Sequence, residues 1–191
     1  MYSHKVTISV VIPHLNGVPH AEETLALCLK SLDYRVDEII VERNDGIGFA
    51  AAVNLGMAKS TSDYIIVANN DTKLIKGNLF KLCKGAEFIT VPKIHPEPRD
   101  NNPRSFYCVP DPVYQKILKH YGYFLDERFG AGYFEDDDLI LRLKELNIPV
   151  VYEPSIVVDH LNGGGLTMKH VGEQKWFDIN KKVFEDKWKI K

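Results

Sequence analysis

Cysteine is scarce in this sequence. The three residues Cys28, Cys83 and Cys108 are widely spaced, odd in number and without a C-x-x-C pair, which excludes a disulfide framework and a structural zinc site and fits a reducing, cytoplasmic setting. An excess of one charge is missing too. Lys and Arg total 24 against 26 Asp and Glu, a formal charge of −2, so there is no basic surplus of the kind that grips a nucleic-acid backbone, and nucleic acid is not an expected partner. Long hydrophobic runs are absent. The apolar stretch at residues 6–13 has no cleavage-site pattern and is far too short to cross a bilayer, so membrane contact, if any, is expected to be peripheral. No repeat, low-complexity tract or composition break divides residues 1–191, and a chain that is 45% hydrophobic and 26% charged can bury a core as one domain.

What is there alternates between short β-branched runs and longer helix-period stretches, the pattern of an α/β domain with a largely parallel sheet. Strands are expected at residues 6–12, stopped by Pro13, at 38–41, 63–68 and 86–91, and as two late strands at 150–152 and 156–158. Helices are expected at 22–32, 49–59, 113–119 and 137–146, with an amphipathic closing helix in the Lys- and aromatic-rich last twenty or so residues. The Ala-rich stretch 49–59 has small residues that let it lie close against a sheet. Residues 92–103 contain four prolines and read as an irregular loop.

Several constellations carry chemistry. Asn69-Asn70-Asp71-Thr72 directly follows the third strand, at the carboxyl edge where open α/β sheets place ligands. Its oxygens are hard donors suited to Mg²⁺ or Mn²⁺, and the same four residues are good turn chemistry. Glu135-Asp136-Asp137-Asp138 puts four carboxylates at a helix start, where the helix dipole alone favours them. Crowded carboxylates also raise one another's pKa, one route to a general base. His160 ends a strand before Asn162-Gly163-Gly164-Gly165, placed to present an imidazole to the same sheet edge as Asp71. Gly46-Ile47-Gly48-Phe49-Ala50-Ala51 matches a dinucleotide fingerprint, G-x-G-x-x-A, but follows the second strand rather than the first.

Read in order, these pieces resemble the family 2 glycosyltransferases, particularly the bacterial branch that includes rhamnosyltransferases. Ile12-Pro13-His14-Leu15-Asn16 is similar to that family's V-I-V-x-Y-N. The run from Gly48 through Asn54 to Gly56 is similar to its G-F-A-x-A-x-N-x-G, which absorbs the dinucleotide match and removes the support for an NAD-dependent oxidoreductase. Asn69-Asn70-Asp71-Thr72 resembles N-P-D-T, a variant of the D-x-D metal motif. Phe124-Leu125-Asp126-Glu127-Arg128-Phe129 resembles F-D-E-R-F, and Glu135-Asp136-Asp137-Asp138-Leu139 with Arg142-Leu143 resembles E-D-V-D-L-x-x-R-L. His160 falls where the family often has a late metal-binding histidine.

The resemblance implies a single GT-A (Rossmann-like) domain, its central, mostly parallel sheet flanked by helices, with residues from about 166 to 191 as a helical tail. It implies inverting transfer of a sugar from a UDP-, dTDP- or GDP-linked donor to a hydroxyl of a glycan or lipid-linked glycan, with Mn²⁺ or Mg²⁺. Asp136 would be the base, beside Glu135. Asp71 and His160 would hold the metal. Pro13, Asn16, Phe49 and Asn54 would line the nucleotide pocket, with Asn44 or Asp45 reading the base and Asn69, Asn70 and Asp138 contacting substrate. The sequence departs from the family in two places: a βα unit is missing between residues 42–46 and the G-F-A stretch, shortening the nucleotide-binding half, and Asn69 stands at the first D-x-D position. Those departures leave a non-catalytic module that binds a nucleotide sugar or glycan as the rival reading.

Overall fold

The computed structural model describes residues 5–32, 36–44, 46–96, 101–161, 169–170 and 172–190. Seven strands form one sheet: β1 (Ile8–Leu15), β2 (Glu38–Asn44), β3 (Tyr64–Ala68), β4 (Thr72–Lys76), β5 (Ile89–His95), β6 (Phe106–Pro110) and β7 (Val150–His160), in the order β2-β1-β3-β6-β5-β7-β4. The helices are α1 (Ala21–Ser31), α2 (Phe49–Lys59), α3 (Asp111–Tyr121), α4 (Glu135–Glu145) and α5 (Glu173–Trp188). The expected α/β architecture is present. β2, β1 and β3 pair in parallel, as do β5 and β7. The antiparallel junctions all come from β4 and β6, two strands not anticipated from the sequence.

The alternation of side chains along each strand explains the two cores. Val11, Ile65, Val67, Tyr107 and Val109 point to one face and pack under α2, α3 and α4. Ile8, Val10, Ile12, Ile66, Phe106 and Cys108 point to the other and pack under α1 and a 3-10 turn at Leu79–Leu82. Strands covered on both faces read as continuous apolar runs, which is why β1 and β3 were legible in the sequence.

α2 matches its expected span, and its small residues do bring it against the sheet: Gly56 is buried where a Cβ would overlap Cγ1 of Val11. Elsewhere prolines misled. β1 does not stop at Pro13. Its pairing with β3 ends at Val11, so from Pro13 onward that side is an open edge, where a missing N–H costs little. The expected loop 92–103 begins as strand, because β5 runs to His95 and pairs with β7 across a register shift at Pro92/Lys93. The same irregularity, opposite Pro154, lets the two expected late strands join as the single β7. Residues 97–100 of that loop lie outside the described residues. Among the described residues no helix is long and apolar enough to cross a membrane.

Gly56→Ala tests how tightly α2 sits. Alanine is the better helix former by about 1 kcal/mol, but forcing a methyl into Val11 costs about 1–3 kcal/mol. The expected outcome is a lower melting temperature; a higher one would show that Val11 yields.

Candidate functional site

A cleft of about 380 Å³ opens at the carboxyl ends of β1 and β3. One side is built by Pro13, His14 and Leu15 from the end of β1 and by Asn69, Asn70 and Asp71 from the exit of β3. Gly46, Gly48 and Phe49 close one end at the start of α2, while residues 131–137 and Trp176 form the opposite wall. Asp71 and the acid run, 64 residues apart in sequence from Asp71 to Glu135, thus share one cavity.

The segment after β3 is both of the things its sequence allowed. It turns, with the Thr72 N–H and hydroxyl both donating to the Asn69 carbonyl at 3.1 and 2.6 Å, and it presents polar groups to the cleft. The turn leads into β4, whose pairing sets Thr72 opposite His160. That register brings His160 Nε2 to 3.1 Å from Asp71 Oδ1. Asn70 Nδ2 donates to Nδ1 of His14 at 2.9 Å, which leaves His14 Nε2 to donate to Glu22 Oε1 at 3.0 Å. Arg43 pairs with Glu22 and, with His14, holds its carboxyl down to about 2.

On the far wall the chain reaches α4 through left-handed backbone at Tyr133 (φ 73°) and Phe134 (φ 70°), unusual for aromatic residues and costly unless surrounding structure enforces it. The enforcing element is α5. Asn180, fully buried, donates through Nδ2 to the carbonyls of Phe129, Gly132 and Tyr133. Phe177 and Phe184 pack on the rings of Tyr133 and Phe134. Trp176 lies where a Cβ on Gly130 would sit, and the Gly130 carbonyl in turn fills the space beside Gly48. The expected closing helix is therefore one wall of the site.

The four acids of α4 separate by environment. Glu135, Asp136 and Asp137 line the cleft. Asp138 does not; it is fully buried, bonded by Arg142 Nε at 2.7 Å and Trp188 Nε1 at 2.9 Å and paired with Lys187 at 2.6 Å. Asp137 pairs with Arg104 Nη2 at 3.1 Å. Burial first, then the charges of Asp136 and Asp137, pushes the Glu135 carboxyl well above the usual range, opposed by a backbone hydrogen bond and by Arg104. Neighbouring carboxyls held in unlike environments are a division of labour that acid–base sites use.

Other residues singled out in the sequence fall elsewhere. Asn54 ties α2 to the segment after α3: its amide donates to the Leu125 carbonyl at 2.8 Å and to Glu127 at 2.9 Å, and its Oδ1 accepts from the Leu125 N–H at 2.9 Å. Asn16 accepts from Arg43 at 3.4 Å. Neither is among the residues that line the cleft. Asn44 ends β2, whereas Asp45 and the glycine-rich residues 162–165 lie outside the described residues. Sequence reasoning missed His14, Arg104, Trp176 and Asn180. His14 had a signal, a polar residue at the exit of a buried strand; the others had none beyond helix periodicity or loop composition.

Among the described residues, no three His, Cys, Asp or Glu side chains converge as a ready-made metal cage. The residues present still fit a Mg²⁺- or Mn²⁺-type ion, which takes few protein groups and completes its shell with phosphate and water. Asp71 and His160 are adjacent, and the buried Asn69 Oδ1 has no hydrogen-bond partner among the described residues.

The fold is the GT-A fold of glycosyltransferase catalytic domains. The solved structures it resembles include the catalytic domain of Drosophila beta1,4-galactosyltransferase 7 in complex with xylobiose, with a TM-score of 0.56 and 17% identity over 78% of this chain and 65% of that one. A mutant of the same Drosophila enzyme in complex with manganese, UDP-Gal and xylobiose gives a TM-score of 0.61 and 15% identity over 88% and 74%. The chain thus spans about two thirds to three quarters of the domains it matches. No protein-family model matches the sequence, and no curated protein matches it.

The raised Glu135 carboxyl makes a prediction about stability. The native protein holds a proton that the unfolded chain releases, so the stabilisation is complete below the ordinary glutamate value of 4.5 and declines as pH rises toward the shifted one. Glu135→Gln removes that dependence. Thermal melts at about pH 5 and about pH 8 should show the variant gaining on the wild type at the higher pH; the same offset at both would contradict a raised Glu135.

Proposed function

We propose that this protein is an inverting glycosyltransferase, moving a sugar from a nucleotide diphosphate donor to a hydroxyl of a glycan or lipid-linked glycan. The observation that carries the reading is the single cleft shared by Asp71 and Asp136, with the GT-A fold around it. The ordered motifs favour a family 2, rhamnosyltransferase-like enzyme with a UDP-, dTDP- or GDP-linked donor. Free Cys28, Cys83 and Cys108 suit a cytoplasmic enzyme making peripheral membrane contact at most. The dense contacts of α5 with the cleft wall support treating residues 1–191 as one catalytic domain rather than a domain with a detachable tail.

Asp136 acts as the base. It takes the proton from the acceptor hydroxyl as that oxygen attacks the anomeric carbon in line with the departing diphosphate. Glu135, kept neutral, can donate a hydrogen bond to a sugar hydroxyl without adding charge. Pro13, Leu15 and Phe49 give the donor's base an apolar end of the cleft. Asp71 and His160, with the Asn69 carboxamide oxygen, are the groups that would hold Mn²⁺ or Mg²⁺; a bound ion offsets the negative charge of the leaving diphosphate.

A screen of nucleotide diphosphate sugars for Mn²⁺-dependent stabilisation and for hydrolysis is the direct test. Slow hydrolysis of a bound donor marks a transferase, and binding without hydrolysis marks the non-catalytic module that the short nucleotide half keeps in play. Asp136→Asn should leave donor binding nearly intact and lower turnover by roughly a hundredfold or more, the scale of a general base; near-wild-type transfer would end its assignment. Asp71→Ala should weaken nucleotide binding in Mn²⁺ and change it little in EDTA. Calorimetry showing equal affinities for variant and wild type in Mn²⁺ would remove Asp71 from the metal site.

A further inference from the structure

Among the described residues that line the cleft, four carry carboxyl groups, Asp71, Glu135, Asp136 and Asp137, and Arg104 is the one lysine or arginine. A diphosphate entering such a space meets repulsion on two sides. We propose that Arg104 receives the donor's diphosphate, exchanging its ion pair with Asp137 for the phosphate oxygens; the proposal rests on the donor reading above.

Topology puts Arg104 where this exchange can occur. In the antiparallel β3–β6 pair Ala68 lies opposite Phe106, and beyond the strand ends the Asn69 N–H still bonds the Ser105 carbonyl at 2.8 Å. Arg104 directly precedes Ser105 and lines the same cleft as Asn70 and Asp71. Its guanidinium reaches over to Asp137 on the facing wall. Arg104 therefore links the approach to β6, beside the Asp71 segment, to the acid run on the facing wall, within the cleft that a diphosphate held near Asp71 would occupy.

The energetics favour a swap of partners. The side chains of Arg104 and Asp137 are 33% and 39% exposed, and ion pairs this open to water contribute little. A diphosphate offers more: two phosphoryl groups matching the planar fork of the guanidinium, with charge-assisted bonds at a site the ligand itself dries. The released Asp137 stays at the first turn of α4, where the helix dipole tolerates it.

The test is calorimetric titration of the full chain with UDP, dTDP and GDP in Mn²⁺, alongside Arg104→Gln and Asp137→Asn. Arg104→Gln should weaken binding of the preferred nucleotide by about tenfold to a hundredfold, the scale of a charge-assisted phosphate contact. Its affinity should also depend less on salt than that of the wild type. Asp137→Asn, which removes the competing anion, should tighten binding severalfold. Wild-type affinity in Arg104→Gln, or unchanged or weaker binding in Asp137→Asn, overturns the proposal while leaving the donor reading standing. Failure of the wild type to bind any of the three nucleotides overturns both. Should Arg104→Gln not fold by its melting curve, Asp137→Asn decides alone.

Discussion

Crowding of carboxyl groups is the constraint that organises this molecule. Asp71, Glu135, Asp136 and Asp137 face one cleft, and Asp138 lies just behind it. Two unit charges about 4 Å apart interact by several kcal/mol at the effective dielectric of a protein surface, so crowding of this kind must be offset, and four of these five acids have an identifiable answer. Asp71 has His160, Asp137 has Arg104, and Asp138 has Arg142 and Lys187. Glu135 is answered by protonation instead. What remains is a cavity whose negative character is held in check until a ligand supplies positive charge, and that suits a donor arriving together with a cation.

The same charges explain why α5 belongs to the site. Lys187 reaches both Asp126 and Asp138, and at Asp126 the bonds from Arg128 and Lys187 outweigh burial and hold the carboxyl well below its usual range. Arg142, fully buried, bonds Asp138 while its guanidinium stacks over the rings of Tyr121 and Tyr123 at 5.1 and 5.2 Å. Buried ion pairs add little net stability, but losing one partner leaves a costly bare charge. They therefore fix the register of α5 on α4 more than they strengthen it. That register sets Asn180 under the carbonyls of the turn and Trp176 against Gly130, so the left-handed entry into α4 depends on a helix some forty residues further along the chain.

The chemistry-bearing segments were the legible ones. The span of α2, the Asp71 segment and the acid run announced themselves because each joins a strong local pattern to unusual polar residues. Both clusters and His160 were named from sequence; the cleft gathers the two clusters, and His160 bonds Asp71. The junctions were not legible. β4 and β6 are short strands whose pairing is purely tertiary, and without the β4–β7 register nothing in the sequence says that His160 stands 3.1 Å from Asp71. Proline was overread at positions 13 and 92, since its cost depends on whether the lost N–H had a partner, which only the sheet reveals. Asn54 misled in the other direction: an amide in a recognisable motif turned out to bond the Leu125 backbone outside the cleft lining.

The short connection between β2 and α2 bears on selectivity. Only residues 45–48 separate β2 from α2, and Gly48 meets the Gly130 carbonyl so closely that a side chain there has no room. The end of the cleft beside α2 is thus closed by two loops in contact, with Pro13, Leu15 and Phe49 as its apolar lining. Apolar surfaces discriminate weakly between ligands of similar size, whereas a missed hydrogen bond to a buried polar group is heavily penalised. On the proposed reading, then, the base contributes area more than identity. The tighter discrimination falls where the polar groups converge, at the diphosphate and the transferred sugar between Asp71, Arg104 and the start of α4.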